Sequence, residues 1–474
     1  MEQYTIRGFR GAIEESVEYL ALADNEDRLE YLDKCNWVLS YIILTVKSRN
    51  KPLNYYVNIS SESLTKFLGS RHYNDILKSL IGLDYIRRPP KYQSGKFSKS
   101  CFLTDKAINS DIITTEFFSD KFKKRIKKIK DKEYEECFKE PVLKKILNNT
   151  AKLIVVETEL YYKGKINILT EEEMDNDIDP EEKLKENKQR YYRYKAFYNE
   201  FKALNNINSA REVYDSKICY KPSIVKSGRI YHTVASIPRY IRRSMRANEN
   251  DLIWEVDMSA AQPSVLLLEW LKTSYSKDYG NTIEKEFNLC KKLIINGGIY
   301  KHISDNSEYF KPLKYSELKK ETLSALYEED LTSVKNIELQ KVFPSFMSWL
   351  NSIKQKEGFK IASHLGQSIE ANIFVNVFKQ LPDDRFFLII HDSILCTEGD
   401  KELVKEKLIG RTKELFSEII SNDENLDKLF KITTVSIKDE DLSNNKDPRL
   451  LKEYLQSIGE WEDDWDNELN IPIY

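Results

Sequence analysis

The chain carries little that would staple it or anchor it. Its six cysteines, Cys35, Cys101, Cys137, Cys219, Cys290 and Cys396, are scattered without a Cys-x-x-Cys pair. That spacing argues against zinc sites and a disulfide framework and fits a reducing, cytoplasmic setting. No apolar run approaches the length of a membrane span, and the N-terminus lacks the apolar core of a signal peptide, so no membrane partner is expected. There is no internal repeat. Charge of one sign is also missing: 74 basic against 76 acidic residues leave a net charge of -2, so global charge selects no polyanion.

A hydrophobic content of 41% and an aromatic content of 12% describe a folded protein, and a charged fraction of 32% keeps it soluble. With 474 residues the chain has room for two to four domains.

The stretch Arg385–Cys396, RFFLIIHDSILC, predicts strand, tight turn, strand, with Asp392 at the tip. A strand apolar on both sides belongs in a covered sheet, so the tip carboxylate is held rigidly at its mouth. A second carboxylate ends the apolar strand Ile253–Val256: Asp257, followed at once by a helix. Ser259 and Gln262 have capping-box spacing there, with Pro263 as the competing first helical residue. Taken singly, each aspartate also reads as a cap or a turn residue. Taken together on neighbouring strands they would point into one cleft, where hard divalent cations bridge carboxylates and substrate phosphates.

Residues 1–50 read as helices, clearest over Tyr31–Val46. From Val57 to Thr104 the pattern gives a helix capped by Ser60 or Ser61, a helix over Tyr73–Ile81, and strands at Tyr85–Arg88 and Ser100–Thr104. This segment resembles a winged helix-turn-helix domain. Its wing holds Arg87, Arg88, Lys91, Lys96 and Lys99 and no acid, which suits contact with phosphates. Such modules also serve as protein contacts. Lys121–Lys130 predicts an amphipathic helix with Phe122, Ile126 and Ile129 on its apolar side. Thr170–Glu182 reads as an acidic loop. Glu182–Asn205 reads as a helix whose run Arg190–Tyr194 either packs in a core or stacks on bases.

Pro238 opens an expected helix on which Arg239, Arg242, Arg243 and Arg246 fall at i, i+3, i+4 and i+7. Four guanidiniums on one face repel unless an anion lies across them, so the stripe is a nucleic-acid contact candidate. Between the aspartates, Lys319 and Tyr327 lie two turns apart on one helix. Helices over Phe343–Lys354 and Ile361–Phe378 follow, the second carrying Gln367 and Glu370 on the face leading to the hairpin. Lys401–Ile420 reads as an amphipathic helix, and the last fifteen residues, acidic with two tryptophans, receive no role.

The order of these parts resembles the palm and fingers of family A DNA polymerases and of single-subunit phage-type RNA polymerases, over roughly residues 225–400. Asp257 in VDMSAAQPS looks like the first metal aspartate, with Ser259 matching its D-x-S. Lys319 and Tyr327 look like the fingers lysine and tyrosine, and His391-Asp392 like the second metal motif. Gly228-Arg229 looks like the pair that touches nucleic acid near the primer end. The sequence departs from the pattern in three ways: Tyr315 stands where an arginine opens the fingers motif, Glu328 replaces the glycine after the tyrosine, and the interval between the aspartates is short. No proofreading exonuclease motif is present, since Ile154–Leu160 has acids but no aspartate-led motif.

The resemblance implies an α+β fold: a palm with a small antiparallel sheet, a mostly helical thumb and fingers, and the winged helix in front. The expected divisions are 1–115, 116–225 and 226–474. It implies two Mg²⁺ ions, or Mn²⁺ in their place, on Asp257 and Asp392 with the Met258 carbonyl. Lys319 would bind the triphosphate, with Tyr327, Gln262 and Ser259 around the incoming nucleotide. Arg229, the arginine stripe, Gln367, Glu370 and His391 would touch a DNA template–primer, or RNA. In this family the position five after the first metal aspartate, here Gln262, sorts deoxyribose from ribose. The expectation is DNA synthesis, in the style of a mobile-element or phage-borne enzyme. Its alternatives are a single-subunit RNA polymerase or primer-synthesising enzyme, and a DNA-binding initiator or regulator with an inert palm.

Overall fold

The computed structural model describes residues 2–22, 24–48, 53–70, 73–88, 99–156, 198, 201–216, 221–237, 239–248, 251–275 and 281–436. The fold is mixed α+β, with helices around small antiparallel sheets. Among the described residues no helix is long and apolar enough to cross a membrane. Of the five cysteines among them, Cys35, Cys101, Cys290 and Cys396 are buried.

Two compact units divide the chain, within 1–136 and within 137–472. The divisions expected from sequence, 115/116 and 225/226, cut through paired structure. The first falls in a strand joined to the chain's N-terminus, and the second in the turn of a hairpin. The first pairing, over more than a hundred residues, leaves no local trace.

The first unit opens with β1 (Glu2–Ile6), where a helix was expected. It pairs antiparallel with β5 (Ile112–Glu116), a partner more than a hundred residues away, and that ladder overrides the local pattern. After two short helices, Phe9–Glu14 and Val17–Leu20, comes α1 (Asn25–Ser48), which contains the expected Tyr31–Val46 helix. Strand β2 (Val57–Ile59), α2 (Ser61–Leu68), α3 (Tyr73–Gly82), β3 (Ile86–Arg87) and β4 (Lys99–Leu103) follow, with the three strands in the order β2-β4-β3. Ser60 caps α2 by accepting the Ser63 N–H at 2.9 Å, and Gly69 ends it at φ 93°, a conformation glycine adopts without a Cβ penalty. The buried residues of α2 and α3, among them Leu64, Leu68, Ile76 and Leu80, join α1 in one core. Helix α4 (Asp120–Lys139) buries Phe122 and Ile126 and exposes Lys124, Lys127 and Lys128.

In the second unit α5 (Pro141–Thr150) precedes β6 (Leu153–Val155). A short hairpin, β7 (Ser223–Ile224) and β8 (Ile230–Tyr231), leads to β9 (Met245–Ala247) and β10 (Asp251–Met258). Then come α6 (Ala261–Tyr275), α7 (Asn281–Asn296), α8 (Ile299–Asp305), α9 (Tyr315–Tyr327), α10 (Val334–Val342), α11 (Pro344–Glu357) and α12 (Lys360–Gln380). The hairpin β11 (Phe387–Ile390) and β12 (Ser393–Thr397), helix α13 (Lys401–Leu415) and β13 (Phe430–Thr434) complete it.

The sheet runs β11-β12-β10-β9-β6, and β13 also pairs with β10. All four residues of β11 are buried, as its unbroken apolar run requires, each contributing about 1.5–3 kcal/mol. Strand β10 is central. Val256 and Met258 go into the core while Glu255 and Asp257 stay on the partly open face. The hydrophobic core of this unit joins the sheet to α6, α9, α11, α12 and α13.

Candidate active site

The two aspartates read from the sequence are brought together. Asp257 lies on β10 directly opposite Ser393 of β12, and the Met258 N–H donates to the Asp392 carbonyl at 3.2 Å. That bond makes the Asp257–Ser393 pair the close, non-hydrogen-bonded kind of the antiparallel ladder. On its other side Asp257 faces Lys431 of β13, exposed to solvent. Period-two alternation puts Glu255 on the same face, where its Oε1 accepts from the Ser393 hydroxyl at 2.6 Å.

Backbone strain gathers at the same place. Four non-glycine residues among those described have positive φ, and two flank the aspartates: Ala260 and His391, both at 48°. Each costs about 1 kcal/mol, a cost that persists where surrounding structure fixes the turn. His391 meets Tyr231 edge to face at 5.3 Å.

The electrostatics centre on Asp392. Burial raises its carboxyl above the ordinary range, and the negative charge of Glu255 adds to that. Lys319, its own backbone N–H and Arg229 pull it back. Lys319 is exposed on α9. Burial, with help from Arg229 and His232, depresses His391 to about 4, so it is a neutral ring. His232, wholly buried with Nε2 2.6 Å from the Ile389 carbonyl, is likewise held at about 4, mainly by burial.

A second set of groups adjoins the first. The turn between β7 and β8 closes by Val225 N–H to Arg229 O and Gly228 N–H to Val225 O. Gly228 sits at φ 84°, and a Cβ there would approach the Ala371 Cβ at 3.3 Å. The turn presents Arg229 to Glu370 of α12, which accepts from Nε and Nη2, each at 2.8 Å. Gln262 donates its amide to the same carboxylate, and the Tyr327 hydroxyl donates to Gln262 Oε1 at 2.5 Å. Glu370 is fully buried. Burial first, and then the like charge of Asp392, push its carboxyl up to about 7 against the pull of Arg229. The Tyr327 hydroxyl is pushed up by burial and then by Glu370. Tyr300 of α8 is raised by burial, and then by Tyr315 and Asp392.

Several expectations change. Gln262 does not cap its helix with Ser259; α6 begins at Ala261, and the Gln262 amide turns instead to Glu370, more than a hundred residues away. Ser259 is buried, its N–H held by the Leu429 carbonyl at 2.7 Å. The four-arginine stripe does not form. The helix is one turn, Arg239–Arg242, and Arg246 lies in β9, paired with Ile154 and Leu252 and 2% exposed. Arg243 is also buried. The strand ladder overrides the helical spacing, so Arg243 and Arg246 belong to the interior rather than to a phosphate-binding face. Arg229 and Glu370, expected as nucleic-acid contacts, bind each other. Gln367 is half-buried on α12, and Met258 contributes a buried side chain. Arg87 pairs with Asp84. The Arg239 side chain, Lys91, Lys96, the Thr170–Glu182 loop, the Arg190–Tyr194 run and the C-terminal acidic tail lie outside the described residues.

Glu255, Ser393, Lys431 and Gly366 are the additions the structure makes to the cleft. Glu255 is legible two residues before Asp257 on a strand. The others depend on tertiary placement. No family model matches the chain, and no curated protein matches it significantly.

The donor set at the cleft suits a hard divalent cation. Its available groups are carboxylate oxygens, without thiolate, and the Asp392 carboxyl is destabilised as an anion by its surroundings, which a cation would reverse. Among the described residues no three His, Cys, Asp or Glu side chains already converge as a closed cage.

Proposed function

We propose that the chain is a template-directed nucleic-acid polymerase, with a DNA polymerase as the leading reading, that extends a primer 3′-hydroxyl. One observation carries this reading: Asp257 and Asp392 end adjacent antiparallel strands, tied by the Met258–Asp392 hydrogen bond, with Lys319 acting on Asp392 from the facing helix. Mg²⁺ bound between the carboxylates would acidify the primer hydroxyl and neutralise the departing pyrophosphate. Asp257 and Asp392 orient the reacting oxygens through the rigid strands that bear them. Lys319, exposed on α9, binds the triphosphate and donates a proton to the leaving group. Tyr327 and Gln262 border the sugar of the incoming nucleotide. Lys431, opposite Asp257 on β13, helps to hold the nucleic acid or nucleotide.

The first unit has the element order of a winged helix: α1, β2, α2, α3, and a β3–β4 hairpin. Together with the exposed lysines of α4 it is proposed to hold nucleic acid by its phosphates.

Extension of a primed DNA template with Mg²⁺, supplying deoxynucleoside and nucleoside triphosphates separately and with or without primer, tests the reading. Primer-dependent incorporation of deoxynucleotides supports it. Primer-independent use of ribonucleotides turns it into the RNA polymerase alternative. Template binding without incorporation makes the chain an initiator or regulator. In the same system, removing the first unit should lower the slope of log affinity against log salt by about 0.9 for every phosphate that the unit neutralises. An unchanged slope after its removal would assign the unit to protein binding instead.

A further inference from the structure

Gln262 has two polar ends, and each meets a different helix. Its Nε2 donates to Glu370 of α12, and its Oε1 accepts from Tyr327 of α9. The amide therefore turns its donor end to α12 and its acceptor end to α9. Glu370 is itself immobilised by the two-point hold of Arg229. One turn before Glu370 on α12 stands Gly366. A Cβ there would lie 2.7 Å from Gln262 Oε1 and 3.4 Å from the Tyr327 hydroxyl oxygen. Helix α12 therefore supplies a floor and a clamp for a single side chain of α6.

The clamp is not what stability alone would choose. A fully buried acid next to a second carboxylate raises the cost of the interior, and a well-packed apolar set of the same volume is commonly as stable or more so. Its product is the fixed position of one amide at the edge of the cleft.

We propose that Gly366 and Glu370 set the position of Gln262 and thereby decide how strictly the site rejects a ribose 2′-hydroxyl. The proposal rests on the polymerase reading. Glu370 is a positioning residue, and Gly366 keeps the space that the amide occupies. With the amide held from both sides, Gln262 stands at fixed height against the sugar and works mainly by bulk. A loosened Gln262 turns aside and admits ribonucleotides.

The test is primer extension by the full chain, with kcat and KM measured for a deoxynucleotide and for the matching ribonucleotide. The wild type should favour the deoxynucleotide, and Gln262→Ala should lower the ratio of kcat/KM values by about tenfold or more. Glu370→Gln should lower the same ratio by about threefold or more, mainly through the ribonucleotide KM. Gly366→Ala, which alters no charge, should also move the ratio. In the Gln262→Ala background neither change should move it further. A ratio unchanged in Gly366→Ala and Glu370→Gln would overturn the proposal. So would effects just as large without Gln262, because the two residues would then act through the fold at large. A wild type that incorporates no nucleotide refutes the polymerase reading itself, a result distinct from either.

Discussion

The two units treat their buried acids differently. In the first, Asp33 is fully buried and accepts the backbone N–H groups of Phe118 and Ser119 at 3.0 and 2.8 Å, just ahead of α4. It meets helix-end donors that would otherwise lack partners. In the second, Glu370 is just as buried, yet its partners are side chains, Arg229 and Gln262, and its carboxyl is pushed up to about 7. Glu286 shows that the second unit also has the ordinary arrangement: it accepts from Ser345 and Phe346 at the start of α11. Acids that hold helix ends are therefore found in both units, whereas acids raised by burial and by one another gather around Asp392. Perturbation concentrated in one cleft marks a functional site more sharply than the presence of acids does.

The largest expected effect on stability comes from breaking the buried pair. Glu370→Ala leaves Arg229 without its partner and should destabilise the second unit by about 3–5 kcal/mol in urea unfolding. Arg229→Met with Glu370→Leu should recover most of that loss. In the first unit, Lys66→Ala breaks the Lys66–Glu133 pair on a far more exposed surface and should cost under about 1 kcal/mol. Equal costs at the two places would erase the contrast.

The next effect is a pH dependence. His232 is held at about 4 against about 6.5 in an unfolded chain, so the fold favours its neutral form. The stability this represents is fully present above pH 6.5 and is lost as pH falls toward 4, reaching about 3 kcal/mol. Glu370 and Asp392, whose carboxyls are raised, change stability in the opposite sense, so the wild type alone does not isolate the histidine. The difference between the wild type and His232→Gln should narrow steadily from pH 6.5 to 4. A constant difference would mean that His232 is charged in the fold.

What the sequence made legible follows the range of the forces involved. Asp257 and Asp392 could be read because each ends an apolar strand at a local turn, a pattern held within a dozen residues. The Lys319–Tyr327 helix and the Ser60 cap were legible for the same reason. Arg246 was misread because its spacing suits a helix while its true partners, Ile154 and Leu252, form a ladder that includes a strand ninety residues upstream. For Gln262 the sequence offered capping-box spacing and a place near the sugar, and its bond to Glu370 was not legible because that partner is distant in sequence. Glu255 shows a different failure: its position two before Asp257 was available, but its relevance came from Ser393 across the ladder. The resemblance to polymerases supplied roles for several residues that their local chemistry leaves open, Arg229 among them, and the structure gives that residue an internal partner.

The central claim is that Asp392 serves chemistry at some cost to the fold. Asp392→Asn tests both halves at once, by primer extension with Mg²⁺ and by thermal unfolding of the same preparation. The substitution keeps the volume and removes a carboxylate whose anionic form burial disfavours. Incorporation should fall by about 1000-fold or more, equivalent to about 4 kcal/mol of barrier, while Tm stays level or rises. Substantial incorporation by the variant, or a clear fall in Tm alongside the lost activity, would contradict the account.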